Sequence, residues 1–438
     1  MNYRYPNSVM RHELLFQEKT TLHLIVMHIR LIDSQKTMIS FAWPSDKARI
    51  EAIRRGEYIS KNNIPIGLEI WREKLFVTLA RSKPGVASTL NYIPLHQAWN
   101  KNASLIPYPD WERNTLPKRG VPPKDDAIIS THRIKADACD RLWLLDTGAV
   151  DTLGEFIVYR QPSVVIYDLK TDELIRRYYL KQEDLNGPDT SFVNIGVDVN
   201  PEKCNEAYAY LPDIGGFGIV VYSYAQNDSW RVKNNYFHFD PLQGNFDAAG
   251  AYFQSAGGVI SVTLGNPDRN WDRTMYFHAF ASSMQFSVNT RVLKNRTLAL
   301  DPFSYQLYKV EGDKGGRSQT STAVFDAKSN VIFFSQILKD GFACWNTEKP
   351  LNPENIALVA QDHEKLVFVG DLKIDLERNI WIISNKLSIS RYNDMNPDEI
   401  NYRIYKIPVD DAIKGTVCET RNERQYYRGP NYFLPVDN

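Results

Sequence analysis

Hydrophobic residues along this chain fall mostly into short runs that alternate with turn residues, the pattern typical of β-strands. Turn dipeptides that separate such runs include Gly215-Gly216, Gly257-Gly258 and Gly315-Gly316. The only clear helical pattern covers residues 46–62, where Asp46 is the predicted N-cap and Ile50 and Ile53 give a weak 3.6-residue period. The hydrophobic pattern therefore predicts an all-β protein.

One local pattern recurs along the chain: a polar turn, an apolar residue, then an aromatic or large apolar residue inside a strand. The anchors of its six copies are Phe76, Trp143, Tyr208, Tyr276, Ile332 and Trp381. They are 67, 65, 68, 56 and 49 residues apart, which suits a four-stranded antiparallel blade. The repeat predicts a six-bladed β-propeller with a short N-terminal extension, and the alternative is a pair of β-sandwiches with coincidental spacing.

The predicted propeller divides the chain into three segments. Residues 1–45 are predicted to be an N-terminal extension, residues 46–425 the propeller and residues 426–438 a C-terminal tail. The best candidate for a signal region in this extension is Leu22–Met27, which His23 interrupts, so either the signal is degenerate or the first part of the chain is not the natural start. A strand from residues 67–80 is a candidate for closing the last blade of the ring.

Composition narrows the classes of partner. The 438 residues include 52 Lys plus Arg and 52 Asp plus Glu, so there is no basic excess to favour nucleic acid. No stretch reaches the roughly 18 apolar residues of a membrane-spanning helix. We therefore predict no nucleic-acid partner and no membrane span, while the oligomeric state stays open.

The four cysteines, Cys139, Cys204, Cys344 and Cys418, form no CxxC pair. They fit either two disulfides, with three connectivities, or four buried thiols. Glycosylation sequons at Asn102, Asn227 and Asn295 favour the first alternative and a secreted protein.

Motifs for catalysis or cofactor binding are missing. None of the eight His forms an HxH or HExxH arrangement, and no G-x-S-x-G elbow or Walker loop occurs. The glycine-rich stretch 215–218 precedes a strand, which favours a hairpin turn over a phosphate loop. We therefore predict no metal and no cofactor.

Several segments resemble the yellow/major royal jelly protein family. They are Asn63–Glu69, Lys74–Arg81, Gly85–Tyr92, Asp137–Gly148, Gln161–Asp168, Tyr208–Asp213, Ala343–Asn346, Asp371–Ile374 and Trp381–Asn385. They span about residues 60–420 in the family's order, and within the family the chain resembles a yellow-type member.

The resemblance implies a secreted, N-glycosylated six-bladed propeller. It also implies two disulfides, Cys139 with Cys204 and Cys344 with Cys418. Each would link neighbouring blade elements and contribute roughly 3–4 kcal/mol in the chain-entropy model.

The resemblance also implies a pocket for a small aromatic molecule of the catecholamine or indole class. Matching relatives that bind aromatic amines gives Gly370, Asn385 and Leu387 as ligand-binding candidates. Gly370 offers no hydroxyl and Leu387 no aromatic face, and Asn385 is equally explained as a turn residue. Additional candidate pocket walls, for which ordinary blade core is the alternative, are Phe342, Phe368 and Tyr92.

Three functions follow. The first is a secreted, non-enzymatic protein with a central small-molecule pocket, associated with insect pigmentation, the melanin pathway or cuticle. The second is dopachrome conversion, an isomerase-like reaction, with His278 or His363 as base and Arg81 or Arg160 holding the substrate carboxylate. The third is a structural interaction protein of cuticle or eggshell.

Overall fold

The strands pair antiparallel into six four-stranded sheets in the computed structural model, which describes residues 34–36, 38–100, 103–393 and 395–420. The first strand of blade six contacts the first strand of blade one, so the sheets close into a ring. The six-bladed β-propeller predicted from the repeat is thereby confirmed.

The first three blades follow the chain in order. Blade one contains Gly67–Trp71, Lys74–Thr78, Leu90–Pro94 and Ile106–Pro107. Blade two contains Ile134–Ala136, Arg141–Asp146, Ser163–Asp168 and Leu174–Tyr179, with a small hairpin of Ala149–Val150 and Ile157–Val158 inserted after its second strand. Blade three contains Gly196–Asp198, Tyr208–Asp213, Gly218–Ser223 and Asp228–Lys233, so the glycine-rich stretch 215–218 is a hairpin turn as predicted.

The other blades differ in how they end. Blade four contains Val259–Pro267, Arg273–Ala279, Met284–Asn289 and Tyr308–Asp313, and a separate hairpin of Asn245–Ala248 and Ala251–Gln254 precedes it. Blade five contains Ala323–Asp326, Val331–Gln336, Gly341–Asn346 and Ile356–Gln361. Blade six contains Phe368–Ile374, Asn379–Asn385, Tyr402–Pro408 and, as its outermost strand, Ser34–Lys36.

Ring closure uses a different strand from the one predicted. Ser34–Lys36 pairs with the third strand of blade six, with Ser34 opposite Ile404. The predicted closing segment, residues 67–80, instead contains the first two strands of blade one, Gly67–Trp71 and Lys74–Thr78. The propeller therefore includes part of the predicted 1–45 extension, whereas Leu22–Met27 and the 426–438 tail lie outside the described residues.

All six anchors of the repeat lie on the second strand of their blade. That strand has a sheet neighbour on each side and an adjacent blade on each face, so it is the most enclosed position. In blade two every residue of Arg141–Asp146 is buried. Alternation along a strand sends successive side chains to opposite faces, and here both faces are covered.

In blades two and six, an aspartate in the first turn of the blade holds the tryptophan anchor in place. Asp137 accepts hydrogen bonds from the backbone N–H of Arg141 at 3.0 Å and from Nε1 of Trp143 at 2.7 Å. Asp375 accepts in the same way from Nε1 of Trp381 at 2.7 Å. The indole N–H would otherwise be buried without a partner, so the aspartate and the anchor belong together in the repeat.

The described helices are short: Asp46–Arg54, Trp111–Asn114, Thr290–Lys294, Arg296–Ala299, Leu387–Tyr392 and Val409–Ile413. The first ends at Arg54 and is followed by the 3₁₀ turn Ser60–Asn62, so the predicted 46–62 helix was too long. Its N-cap is Ser45, whose hydroxyl accepts from the Ala48 N–H at 3.1 Å, rather than Asp46.

Both implied disulfides are confirmed. Cys139–Cys204 joins the first turn of blade two to that of blade three. Cys344–Cys418 joins the third strand of blade five to the segment that follows blade six. Each therefore links neighbouring blades across a seam that the backbone hydrogen bonds of the sheets do not cross.

Candidate functional site

One face of the ring carries the longest connections. Because strands alternate in direction within each blade, the connections after every second and fourth strand lie on the same side, which we call the upper face. A cavity of about 540 Å³ opens there. Its lining residues are Asp247, Ala249, Gly250, Arg317, Leu338, Asp340, His363, Glu364, Val367, Lys386, Ile389 and Glu399. All come from upper-face connections around blades four, five and six, and we call this space the mouth cavity.

Asp340 is a partly buried acidic group of the mouth cavity. Its Oδ2 lies 2.7 Å from Nδ1 of His363, while its Oδ1 is buried with no hydrogen-bond partner among the described residues. Burial raises the pKa of Asp340, opposed by His363 and Arg317 and reinforced by the nearby carboxylate of Asp247. A carboxylate oxygen in this state is ready to accept a hydrogen bond from a bound cation.

Most other charges of the mouth cavity already have partners. Lys386 pairs with Glu399 at 2.6 Å, and Glu364 pairs with Arg403 at 3.1 Å. Arg317 donates to the carbonyl of Leu338 at 3.0 Å. The carboxylates of the mouth cavity that have no Lys or Arg partner within 4.0 Å among the described residues are therefore Asp340 and Asp247.

The hairpin before blade four forms one wall of the mouth cavity. Its turn residues Ala249 and Gly250 have φ of 53° and 78°, the left-handed pair that a two-residue hairpin turn requires. Phe246 and Ala248 face inward and Asp247 faces out, because strand residues alternate. The hairpin thus presents a carboxylate to the cavity and an apolar side to the propeller.

Stacked aromatic rings hold this hairpin against the ring. Phe246 stacks on Phe280 and on Phe253, each with ring centroids 4.9 Å apart. Phe253 in turn stacks on Tyr392 at 4.5 Å, which connects the hairpin to the helix Leu387–Tyr392 of blade six. A continuous row of four rings therefore supports the hairpin wall from the propeller side, and none of the four is among the residues that line the mouth cavity.

Four of the predicted ligand-binding residues lie together beside the mouth cavity. Phe368 and Leu387 pack in one apolar cluster with the hairpin, and their chain neighbours Val367 and Lys386 line the cavity. Phe368 also pairs with Asn385 across the sheet.

Asn385 and Gly370 make contacts within the protein. The Asn385 amide donates to the carbonyl of Pro65 at 2.7 Å and accepts from the Leu387 N–H at 2.9 Å. The Gly370 carbonyl accepts from Nε and Nη2 of Arg133 at 3.0 and 2.7 Å. A Cβ on Gly370 would lie 2.8 Å from Nδ2 of Asn385, so these two residues are packed too closely to admit a side chain.

Phe342 and Tyr92 belong to blade interiors. Phe342 is buried in the third strand of blade five, opposite Ser335. Tyr92 lies in the third strand of blade one, where its ring contacts Phe76 and Tyr108. Neither lines the mouth cavity, and both fit the blade-core alternative.

The two arginines suggested as carboxylate binders are occupied elsewhere. All five N–H groups of Arg81 point to backbone carbonyls, those of Val86, Ala87, Asn114, Ile128 and Ile129. Arg160 donates to the carbonyls of Lys124 and Ala127 at 3.1 and 2.7 Å. These guanidinium groups order upper-face loops.

The two candidate bases occupy different environments. His363 is exposed and lines the mouth cavity beside Asp340. His278 is buried in blade four, and its Nε2 has no partner among the described residues. Burial lowers the pKa of His278 well below its usual value, with Lys314 and Arg133 acting in the same direction. His278 is therefore a neutral imidazole beside two cations.

The pattern of the sequence did not single out the hairpin, Asp340 or Lys314. Two signals were present: the alternation around Ala249-Gly250, and the Asp340-Gly341 turn dipeptide. No such signal in the sequence marked Lys314, because its burial results from contacts between blades four and five.

Two of the predicted sequons lie on exposed turns. Asn227 and Asn295 are both exposed, and Asn295 caps the helix Arg296–Ala299. Asn102 lies outside the described residues. Glycosylation of all three stays a prediction.

The described part of the chain offers neither a metal-binding cluster nor a membrane-spanning helix. It holds no group of three or more His, Cys, Asp or Glu side chains placed to bind a metal ion. None of its helices is both long and apolar enough to cross a bilayer.

Comparisons with known proteins agree with the resemblance of the motifs. The family model described as major royal jelly protein matches residues 129–418. Protein yellow of Drosophila erecta is 37% identical over 396 residues, covering 90% of this chain and 71% of the relative. Protein yellow of Drosophila melanogaster is 36% identical over 398 residues with the same coverage of both chains.

Solved structures with similar backbones are more distant. A luciferin-regenerating enzyme aligns with a TM-score of 0.45 at 8% identity, covering 80% of this chain and 92% of that one. Regucalcin from Agrobacterium tumefaciens aligns with a TM-score of 0.43 at 9% identity and the same coverage. With the family model covering most of the propeller and the relatives matched over most of their length, this chain belongs to the yellow/major royal jelly protein family.

Proposed function

We propose that this protein is a secreted, non-enzymatic yellow-family member that binds a small aromatic amine in the mouth cavity, in the pigmentation and melanin pathway or in cuticle. The observation that carries the proposal is the Asp340 carboxylate, which lines the cavity and has no Lys or Arg partner within 4.0 Å among the described residues. An ammonium group would bond to Asp340 and be attracted by Asp247, while the ring of the ligand would pack on the apolar lining residues Leu338, Val367 and Ile389. The two disulfides support secretion, because such bonds persist in oxidising compartments.

Calorimetric titration with dopamine and serotonin tests the proposal. We expect saturable binding to the wild-type protein and roughly 10–100-fold weaker binding to Asp340→Asn, because a charge-assisted hydrogen bond contributes about 1.5–3 kcal/mol. Asparagine suits this position, since Asp340 has φ of 48° and Asn tolerates left-handed backbone. Asp411→Asn, an exposed acidic residue after the third strand of blade six, is the matched control. Absence of saturable heat from both amines would refute the proposal.

Dopachrome conversion is the second candidate, favoured by the surroundings of His278. The neutral ring has a free Nε2 to take a proton, and Lys314 and Arg133 replace Arg81 and Arg160 as the cations nearest to the base. Following dopachrome absorbance tests this. Decay above the spontaneous rate that is lost in His278→Gln and kept in His96→Gln, which alters an exposed histidine, would favour the enzyme. Equal decay in all three proteins would exclude His278 as the base.

A structural role in cuticle or eggshell is the third candidate. Exposed apolar side chains follow the third strand of blade four, with Phe303 and Tyr305 exposed by 69% and 58%. Such a patch suits docking to another surface. A Phe303→Ser, Tyr305→Ser double variant would then sediment less with insoluble cuticle than the wild type, and equal sedimentation would count against this role.

A further inference from the structure

Lys314 is a buried cation without an ionic partner. It lies just after the last strand of blade four, with 3% of its surface exposed. Its Nζ reaches only the carbonyl of Met284, at 3.5 Å, and no carboxylate of the described residues lies within 4.0 Å of it. A buried ammonium group in this state is unfavourable unless a counter-ion is present or the group loses its proton.

Gln336 supplies unused hydrogen-bonding groups on the blade-five side. It is 1% exposed, and neither its Oε1 nor its Nε2 has a partner among the described residues. Lys314 Nζ lies 5.8 Å from the ring centre of Phe334, two residues earlier on the same strand. Residues two apart on a strand face the same way, so the Gln336 side chain points to the side where Lys314 lies.

His278 completes the lining from the second strand of blade four. The side chain of Gln285 and the backbone of Thr320 interact with its ring, and its Nε2 has no hydrogen-bond partner among the described residues. The Gln285 amide, on the neighbouring strand, donates to the carbonyl of Phe277 at 2.9 Å. Three polar side chains from two blades, Lys314, Gln336 and His278, thus have hydrogen-bonding capacity that the protein does not use.

The charges around this space are positive in sum. Arg133 interacts with His278, but its own charge is balanced by Asp371 at 3.8 Å, which Lys373 also approaches at 3.2 Å. Asp313 is the acidic group that acts on Lys314, and it is exposed to solvent. Lys314 therefore remains the uncompensated charge.

We propose that the space between blades four and five is a binding site for a small monovalent anion, held by Lys314 Nζ and the Gln336 amide with His278 at its edge. The chemistry fits either a free halide or the carboxylate of a small organic molecule, because both accept hydrogen bonds from ammonium and amide groups. The anion site does not include Asp340 or any other residue that lines the mouth cavity. A result that refutes amine binding therefore does not refute anion binding, and the reverse also holds.

Binding of the anion is coupled to a proton. Burial lowers the pKa of Lys314 to about 7, partly opposed by Asp313. Below that pH the ammonium form awaits a counter-ion, and above it an anion must bind together with a proton. His278, whose pKa is lowered by burial and by the cations Lys314 and Arg133, stays neutral in this range. Affinity should therefore fall about tenfold per pH unit above 7.

Thermal unfolding in chloride or acetate, against the divalent anion sulfate at constant ionic strength and pH 6.5, tests the site. We expect a saturable rise in Tm of about 2 °C or more for the wild type, and none for Lys314→Met. Lys328→Met, which alters an exposed lysine of blade five, should respond like the wild type. A larger effect of chloride assigns the site to halides, and a larger effect of acetate to carboxylates.

Two further measurements keep the test decisive. Gln336→Leu should weaken the response even if Lys314→Met folds poorly, and calorimetry at pH 8 in two buffers of different ionisation enthalpy should reveal proton uptake. Asp340→Asn should keep the full anion response, whatever its affinity for amines. An equal Tm response in the wild type and the Gln336→Leu variant, or binding at pH 8 without proton uptake, would overturn the proposal.

Discussion

Individual buried polar side chains carry the chemistry of this propeller. Asp340, His278 and Lys314 each lie where the ionised and neutral forms differ in free energy, because water is excluded and partners are few. Arg81, in contrast, is buried with every donor engaged, so its charge stabilises loops and is not available to a ligand. Candidate functional residues therefore differ from structural ones in whether their polar atoms have hydrogen-bond or ionic partners, more than in how deeply they are buried.

His132, next to the ring axis, should make the fold sensitive to acid. Burial and the neighbouring Arg133 lower its pKa to about 4 from 6.5. The unfolded chain then binds more protons between these values, so stability is full above pH 6.5 and falls as the pH drops toward 4. We expect His132→Gln to remove up to about 3 kcal/mol of this loss.

Urea unfolding of both proteins at pH 7.5, 5.5 and 4.5 measures the difference. Carboxylates titrate alike in the two proteins, so they cancel in the comparison. A wild-type-minus-variant difference that does not change with pH would show that the pKa of His132 is the same in the folded and the unfolded chain.

At the scale of elements, the second strand and the turn before it act as one unit in blades two and six. Asp137 accepts from Arg141, Cys139 and Trp143, and its side chain is 1% exposed. In these two blades the bond between the turn and the strand accounts for the pairing of aspartate and tryptophan in the repeat.

Asp137→Ala should therefore lower the free energy of unfolding by about 2–4 kcal/mol, because it leaves the buried Trp143 N–H and the guanidinium of Arg141 without their acceptor. Denaturant unfolding with tryptophan fluorescence checks this. Asp189→Ala, at an exposed position in a loop, is the control and should change stability by less than about 0.5 kcal/mol. Equal losses in the two variants would contradict the role of the turn.

The upper-face hairpin is held by rings more than by backbone bonds to the blades. Phe253→Leu keeps the apolar bulk but removes two stacks, with Phe246 and with Tyr392. We expect local destabilisation of about 1–2 kcal/mol and faster amide exchange in residues 245–254. Phe303→Leu, at an exposed ring, should leave that exchange unchanged.

For the whole molecule, stability depends on the seams between blades. Most backbone hydrogen bonds run within the sheets, whereas neighbouring blades meet mainly through side chains, the two disulfides and a few backbone contacts such as that of the Asp151 N–H with the Arg81 carbonyl at 2.7 Å. The chain is also closed on itself by the strand Ser34–Lys36 of blade six. That strand lies far in sequence from Tyr402–Pro408, so its pairing joins the two ends of the described chain.

A Cys139→Ser, Cys204→Ser double variant should lose about 4 kcal/mol of stability, the chain-entropy value for a sequence separation of 65 residues. Chemical denaturation without reductant measures the loss. The corresponding Cys344, Cys418 variant, with a separation of 74 residues, should lose a similar amount. Reduced wild-type protein as stable as the oxidised form would show that the disulfides do not stabilise the ring.

The fold could be predicted from the sequence because a propeller repeats one local unit. Six anchors at near-regular spacing, each in an apolar run after a polar turn, report strand, burial and blade number together. The family resemblance supplied the pairing of the cysteines, which spacing alone left open.

Only part of the candidate site could be predicted from the sequence. Asn385 and Leu387 were predicted by matching relatives and Phe368 as a pocket wall, and all three lie beside the mouth cavity, yet Asp340, Lys314 and Gln336 were not singled out. Lys314 follows the last strand of blade four, whereas Gln336 and Asp340 belong to blade five, and their surroundings are unrelated to them in sequence.

By itself, the sequence determined the all-β class, the number of blades and the second-strand anchors, because these depend on periodicity within one short segment. The tertiary structure decided which strand closes the ring, which charges remain unpaired and where the cavities lie. The physical reason is that pairing and desolvation depend on distances between residues far apart in the chain, which only the closed ring establishes.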